Sequence, residues 1–255
     1  MIYELLFSAT GRSEKVMNII SSRWDEDKTR IDLSSQDMAG DIYNITAEDF
    51  CILTVPVYEG RMPKPAVENL KKLQGNGAKA LLVAVFGNRA IDDCLLEMKD
   101  VMTQQGFVPV AAVESSVQHS IITKVEPNRP DAQDTAQLKD FAAQVKNMLL
   151  EKTDFGTLNV PGNYPYVEMG GIPFKPKGDK KCVSCGLCAK KCPVQAIPAD
   201  NPAATDKTKC ITCMRCVEIC PVDARDFPAF MVSAAYMAMK SKFAGRKENR
   251  LYLAE

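Results

Sequence analysis

Residues 1–152 predict an α/β fold, a doubly wound and mostly parallel sheet, and the rest of the chain adds a small α+β domain built around cysteines. Three observations carry this. Apolar runs at 2–7, 50–57, 80–86 and 107–113 alternate with segments of helical pattern at 12–22, 64–73, 91–105 and 134–151. The runs are nearly continuous, so each strand is expected to be covered on both faces, as in a parallel sheet between two layers of helices. Eight of the ten cysteines fall between positions 182 and 220.

The first strand (2–7) runs into the loop SATGRS, Ser8 to Ser13. Hydroxyls of Ser8, Thr10 and Ser13 surround Gly11 just before a helix, so side-chain and backbone donors converge on an anion at a helix N-terminus. A phosphate fits there; helix capping without a ligand is the alternative. Trp24 and the acidic run Asp25, Glu26, Asp27 read as a helix end and solvated turn. TRIDLSS (29–35) supplies a further strand, making five, which fit the order 2-1-3-4-5 with a ligand where strands 1 and 3 diverge. Cys51 and Cys94, in a strand and a helix, read as small buried apolar residues.

Two more loops leave the same sheet edge. PVYEGRMP follows the third strand, with Pro56, Val57, Tyr58, Glu59 and Gly60; FGNRAIDD follows the fourth, with Phe86, Gly87, Asn88 and Arg89. His119, the only histidine, lies past the fifth strand, on the loop side but toward the far edge of the sheet. It reads either as a proton donor or as a polar loop residue.

Residues 153–177 are rich in Pro and Gly, which excludes a long helix, yet Phe155, Tyr164, Tyr166 and Phe174 argue against a free linker. Packing along one or both domains is expected. The cysteine-rich domain spans 178–227. In the last segment, 228–255, apolar Phe230, Met231, Ala234, Ala235, Met237, Ala238 and Met239 predict a helix covering the clusters or the first domain, followed by a basic tail.

Composition narrows the class. A chain of 255 residues, 46% hydrophobic and 25% charged, with no net charge, is ordinary for a globular protein and unlike a disordered or fibrous one. The longest apolar stretches are far short of the ~20 residues that cross a bilayer, and the start lacks the basic region of a signal peptide. The expected location is cytoplasmic, with no membrane span and no nucleic-acid partner. In a reducing compartment, clustered cysteines are metal ligands more often than disulfides.

Each half of the cysteine cluster reads C-x2-C-x2-C-x3-C-P: Cys182, Cys185, Cys188 and Cys192 before Pro193, then Cys210, Cys213, Cys216 and Cys220 before Pro221. Structural zinc usually takes two C-x2-C pairs about 15 to 20 residues apart. Three thiolates at successive two-residue gaps instead wrap one corner of a larger body, a [4Fe-4S] cube, although two zinc sites remain the alternative. Small Gly186 and Ala189 let backbone N–H groups approach the inorganic sulfur.

Residues 178–226 resemble the bacterial two-cluster ferredoxins. That resemblance implies two [4Fe-4S] clusters with a crossed fourth ligand: Cys182, Cys185, Cys188 and Cys220 hold one cluster, and Cys210, Cys213, Cys216 and Cys192 the other. One departure is charge, because residues 175–227 carry ten Lys or Arg against six Asp or Glu, whereas small clostridial ferredoxins are acidic. SATGRS is similar to the flavodoxin phosphate loop, and the loops at 56–63 and 86–93 occupy the places that clasp the flavin ring in flavodoxins. The similarity implies FMN, with Arg12 either adding a phosphate contact or facing water, and Arg89 either near the ring or solvated. FSATGRS, PVYEGRMP, FGNRAIDD and PGNYPY, followed by the cysteine motifs, make the whole chain similar to flavodoxin-ferredoxin fusion proteins of anaerobes.

Three functions are open at this point. One is an electron-transfer protein passing electrons between FMN, two clusters and an outside redox partner, protein or small molecule, since a flavin exchanges one or two electrons and a cluster one. Another is a reductase of a small organic substrate, with His119 or Tyr58 as candidate donors over an open cavity. The third is an interaction module with structural cofactors. Residues 1–154 hold 17 basic and 23 acidic side chains and residues 175–255 hold 15 and 8, so the halves attract. The cluster domain is expected to dock beside its own flavin or that of a second chain in a homodimer.

Overall fold

The structure, a computed structural model, describes residues 1–40 and 42–255. Strands β1 (Ile2–Leu6), β2 (Lys28–Asp32), β3 (Phe50–Pro56), β4 (Lys79–Phe86) and β5 (Val108–Ser116) lie parallel in the order β2-β1-β3-β4-β5. This is the doubly wound flavodoxin-like order that the apolar runs predict. Successive side chains point to opposite faces, so each strand feeds two cores. Leu5 and Phe7 join Leu53, Leu82 and Met98 on one side; Ile2 and Leu6 join Ile20, Ile52 and Val145 on the other.

Helices α2 (Lys64–Leu70) and α3 (Cys94–Gln104) cover the first core, and α1 (Arg12–Ser21) and α4 (Ala132–Glu151) the second. Helix α4 starts on a reciprocal cap: Asp131 accepts from the Asp134 N–H at 2.9 Å, and Asp134 accepts from the Asp131 N–H at 3.0 Å. Cys51 and Cys94 are fully buried, as expected. Trp24 differs from expectation. It is 3% exposed and stacks on Phe50 with ring centroids 5.3 Å apart, while the acidic residues 25–27 beside it are exposed. Only the large ring gains by entering the core.

The apolar residues 230–239 form a helix, and the basic tail after it is structured as well. Helix α7 (Ala229–Met239) passes into a 3-10 turn (Lys240–Phe243); the chain then turns at Gly245 (φ 71°) and ends in a strand, β8 (Arg250–Leu253). Strand β8 pairs antiparallel with β5, Ala112 opposite Tyr252, and makes the sheet six-stranded. The Tyr252 hydroxyl donates to Glu114 at 2.6 Å. Helix α7 lies over the loop that follows β5, where Val232, Tyr236 and Met239 meet Ile122, Val125 and Phe243.

In the cysteine-rich part, two-residue strands β6 (Lys177–Gly178) and β7 (Arg225–Asp226) pair antiparallel, and four-residue helices α5 (Leu187–Lys190) and α6 (Arg215–Glu218) follow the cysteine loops. The sequence repeat recurs in the backbone. Ser184 and Thr212, Gly186 and Met214, and Gln195 and Asp223 all have positive φ at matching positions of the two copies. The aromatic segment between the halves makes contacts with both. Phe155 enters both cores, the Tyr164 and Tyr166 hydroxyls donate to Asp100, and Phe174 meets Phe227 edge-on at 5.1 Å.

Candidate functional site

At the carboxyl edge of the sheet lies a cavity of about 370 Å³. The SATGRS loop forms one end of it. Gly11 adopts φ 75° at the start of α1, which side chains other than glycine rarely tolerate. The Ser8 hydroxyl accepts from the Glu14 N–H at 3.1 Å and so caps the helix. Lys15 N–H donates to Gly11 O, whereas the N–H groups of Thr10, Gly11, Arg12 and Ser13 have no hydrogen-bond partner among the described residues. Free N–H groups at the positive end of a ten-residue helix suit a phosphate. Thr10, Arg12 and Ser13 line the cavity; Ser8 and Gly11 shape the loop behind it.

The second and third loops form the walls. Tyr58 and Arg61 exchange backbone hydrogen bonds around Glu59 and Gly60, whose φ values of 53° and 86° define a mirror-image tight turn. A Cβ on Gly60 would stand 2.5 Å from the Asp92 carboxylate. Pro56, Val57, Tyr58, Glu59, Gly60, Phe86, Gly87 and Arg89 all face the cavity. Tyr58 meets Phe7 edge-on at 6.3 Å, and burial raises its phenol well above the ordinary value. Arg89 is paired with Asp92. Asn88 does not face the cavity. It is fully buried, donating to the carbonyls of Phe243 and Gly245 at 3.1 and 2.9 Å, and it ties the C-terminal segment to the sheet.

His119 reaches the site despite the position of β5. A Cβ on Gly87 would stand 2.8 Å from the His119 ring, so the bare Gly87 lets the loop after β5 fold back over the cavity. His119 Nδ1 accepts from the N–H groups of Ile121 and Ile122 at 3.1 and 3.0 Å, which leaves the proton on Nε2. Burial, assisted by the Arg12 and Arg89 charges, lowers its pKa to about 4, so the ring is neutral at pH 7.

The remaining wall was not legible in the loops. Ile172, Pro173 and Phe174 from the aromatic segment, Ile211 and Thr212 from the second cysteine motif, and Ala235 and Met239 of α7 close the cavity. Arg12 bridges these parts: its guanidinium donates to Gln118 at 2.7 Å and pairs with Glu218 of α6 at 3.4 Å. Arg215 donates to Ser8 O and to Ser34 Oγ, both at 2.7 Å. Gln36 completes the contact, donating to the Cys192 carbonyl and accepting from Gln195 at 2.8 Å. The cysteine-rich part therefore docks on the sheet edge of its own chain.

The eight cysteines gather as two rings. One cavity is lined by Cys182, Cys185, Cys188 and Cys220, a second by Cys192, Cys210, Cys213 and Cys216. The fourth cysteine of each motif thus lines the cavity of the other motif's first three. Each set of thiols surrounds a small space. Backbone N–H groups point at the sulfurs, with Ala196 donating to Cys192 Sγ at 3.3 Å and Ala224 to Cys220 Sγ at 3.2 Å. Such donors favour negative sulfur. Cys213 is buried and packs with the first core, and Cys185 is exposed on the other ring.

A doubly wound sheet with a cavity at its strand 1/strand 3 switch point is thus followed by a part with two four-cysteine rings. Residues 180–225 match the family model of the 4Fe-4S dicluster domain. Solved structures similar to the chain include a flavodoxin from Streptococcus pneumoniae TIGR4, at 18% identity and TM-score 0.43, covering 58% of this chain and 99% of that one. Oxidised flavodoxin 2 from Bacillus cereus is similar at 11% identity and TM-score 0.43, over 57% and 97% of the two chains. A Fusobacterium nucleatum flavodoxin bound to flavin mononucleotide follows at 13% and 0.39, over 57% and 95%. No curated protein matches the chain. At these identities the fold assignment rests on the strand order itself. Among the described residues no helix is long and apolar enough to cross a membrane.

Proposed function

We propose that the chain is an electron-transfer iron-sulfur flavoprotein that passes electrons between FMN in the large cavity, two [4Fe-4S] clusters on the cysteine rings, and an outside redox partner. When bound, the flavin exchanges one or two electrons and each cluster one, which is the chemistry that converts electron pairs to single electrons. The observation that carries the reading is the shared wall: Ile211 and Thr212, next to ligand candidate Cys213, line the same cavity as Tyr58 and the SATGRS loop. Thr10, Arg12 and Ser13 would hold the phosphate, Tyr58 and the Gly60 and Gly87 turns the ring. Arg215 and Arg12 hold the nearer cysteine ring against that cavity. The farther ring presents exposed Cys185 and Val183, 63% exposed, to an incoming partner.

The test is anaerobic purification with flavin, iron and sulfide counted per chain. About one flavin, eight irons and eight sulfides are expected, as two cubes require; zinc in place of iron, or the absence of flavin binding in titration, overturns the reading. One observation favours reduction of a small organic molecule as a second reading. His119 lines the cavity with its proton on Nε2, where a donor would be needed. Oxidation of the reduced protein by a carrier protein but not by small acceptors would exclude it.

A further inference from the structure

The two cysteine motifs are near copies, and they differ in charge at one buried position. Five residues after the last cysteine of each copy stands Ile197 in the first and Arg225 in the second. Ile197 is buried among the thiols of its ring. Arg225 is also buried, at 2% exposure, although it carries a full positive charge. Its guanidinium donates to uncharged oxygens: the carbonyls of Pro202, Pro176 and Ala204 and the Thr205 hydroxyl. None of the ion pairs among the described residues includes it. Its Nε is buried without any hydrogen-bond partner.

A buried cation without a counter-charge is strongly disfavoured, so a site that keeps one has negative charge close by when complete. The position identifies that charge. Arg225 lines the cavity ringed by Cys182, Cys185, Cys188 and Cys220. Its side chain also hydrogen-bonds to Cys216, which belongs to the other ring. The guanidinium thus stands between the two rings and faces both.

We propose that Arg225 is the shared counter-cation of the two clusters, a positioning residue that raises the reduction potential of each and eases the uptake of a second electron after a first. The inference rests on reading the thiol rings as [4Fe-4S] sites. Each reduction adds one electron, and so one negative charge, to a cluster in a poorly solvated interior. A fixed cation favours the more negative state, and a guanidinium keeps its charge at every accessible pH. Because Arg225 faces both rings, its charge also offsets part of the repulsion between two reduced clusters. Ile197 offers no such charge at the matching position, so the effect is not duplicated by the repeat.

The experiment compares the wild-type full chain with Arg225→Gln and Arg225→Lys. Each protein is titrated anaerobically with dithionite as electron donor, followed by low-temperature electron paramagnetic resonance, with iron counted in parallel. Full iron in all three, midpoint potentials of both clusters shifted negative in R225Q and further apart, and values near wild type in R225K are the expected result. Unchanged potentials in R225Q at full iron overturn the proposal while leaving the cluster reading intact. A shift of one cluster alone also overturns it, because the cation is then not shared. If R225Q loses iron, R225K decides: restored iron and potentials support the charge, and iron lost from both variants overturns it. Wild-type protein holding zinc overturns the cluster reading and this inference with it.

Discussion

Single side chains here often serve a purpose that their position in the sequence does not announce. Asn88 looks like a ring-binding residue after strand 4, yet its amide is spent on the carbonyls of residues 243 and 245. Cys192 ends the first motif but lines the ring of the second. On the proposed two-cluster reading, replacing Cys192 with Ala is expected to remove about four of eight irons, those of the cluster whose other ligands begin at Cys210, and to leave the first cluster's spectrum in place. Loss of the first cluster alone would contradict the crossed grouping. His119 gives a pH signature. Its folded pKa of about 4 lies below the ordinary 6.5, so between these values the unfolded chain binds the proton and the folded chain does not. Its contribution to stability is complete above pH 6.5 and is lost as pH falls toward 4. In flavin-free protein, His119→Gln should flatten the stability profile in that window, as measured by urea unfolding at a series of pH values.

Among the elements, the ends of α4 and β8 are tied by one ionic knot. Asp134, fully buried, accepts from Arg129 Nη2 at 2.6 Å, Arg246 Nη2 at 2.8 Å and Asn249 Nδ2 at 3.0 Å. Burial works to raise its pKa, but the Arg129 hydrogen bonds and the cap outweigh that, and the carboxyl is held below the ordinary 3.8. A lowered carboxylate stabilises the fold above its unfolded pKa, and that contribution is lost as pH falls through the folded value. Asp134→Asn leaves buried Arg129 without its counter-charge while Arg246 keeps Asp131, and a loss of about 3 kcal/mol is expected in denaturant unfolding, as for other broken buried pairs. A loss below about 1 kcal/mol would mean that Asp131 takes over Arg129 as well. The knot also explains why β8 is hard to foresee. RLYL is four residues long, and its place beside β5 depends on Arg246 and Asn249 reaching α4, a long-range contact with no local pattern.

At the level of the whole chain, opposite charge on the two halves led to an expectation of docking, either on the chain's own sheet or on a partner's. The structure shows docking within one chain, through Arg215, Arg12, Gln36 and the shared cavity wall. Most of these contacts are hydrogen bonds at a partly buried interface, which salt screens little. Electron transfer from flavin to the nearer cluster, followed by anaerobic rapid mixing, is therefore expected to change less than about twofold between 0.05 and 0.5 M salt and to be independent of protein concentration. A steep fall with salt would indicate a transient encounter, and a fall on dilution would place the path between two chains.

What the sequence determined by itself was whatever local chemistry writes at short range. The β/α alternation, the SATGRS turn before a helix, and the spacing of eight cysteines each need only a few neighbouring residues, because periodicity and ligand reach are short-range properties. Even the strand order followed, since buried parallel strands have few arrangements with right-handed crossovers. Tertiary structure alone decided what closes the cavity: Phe174, Thr212, Met239 and the folded-back His119 come from four segments that no pattern links. It also decided that Trp24 is buried, that Asn88 faces away, and that Arg225 stands between the rings. Each of these depends on which distant segment arrives alongside, and burial energy is settled by the packed neighbours rather than by the residue.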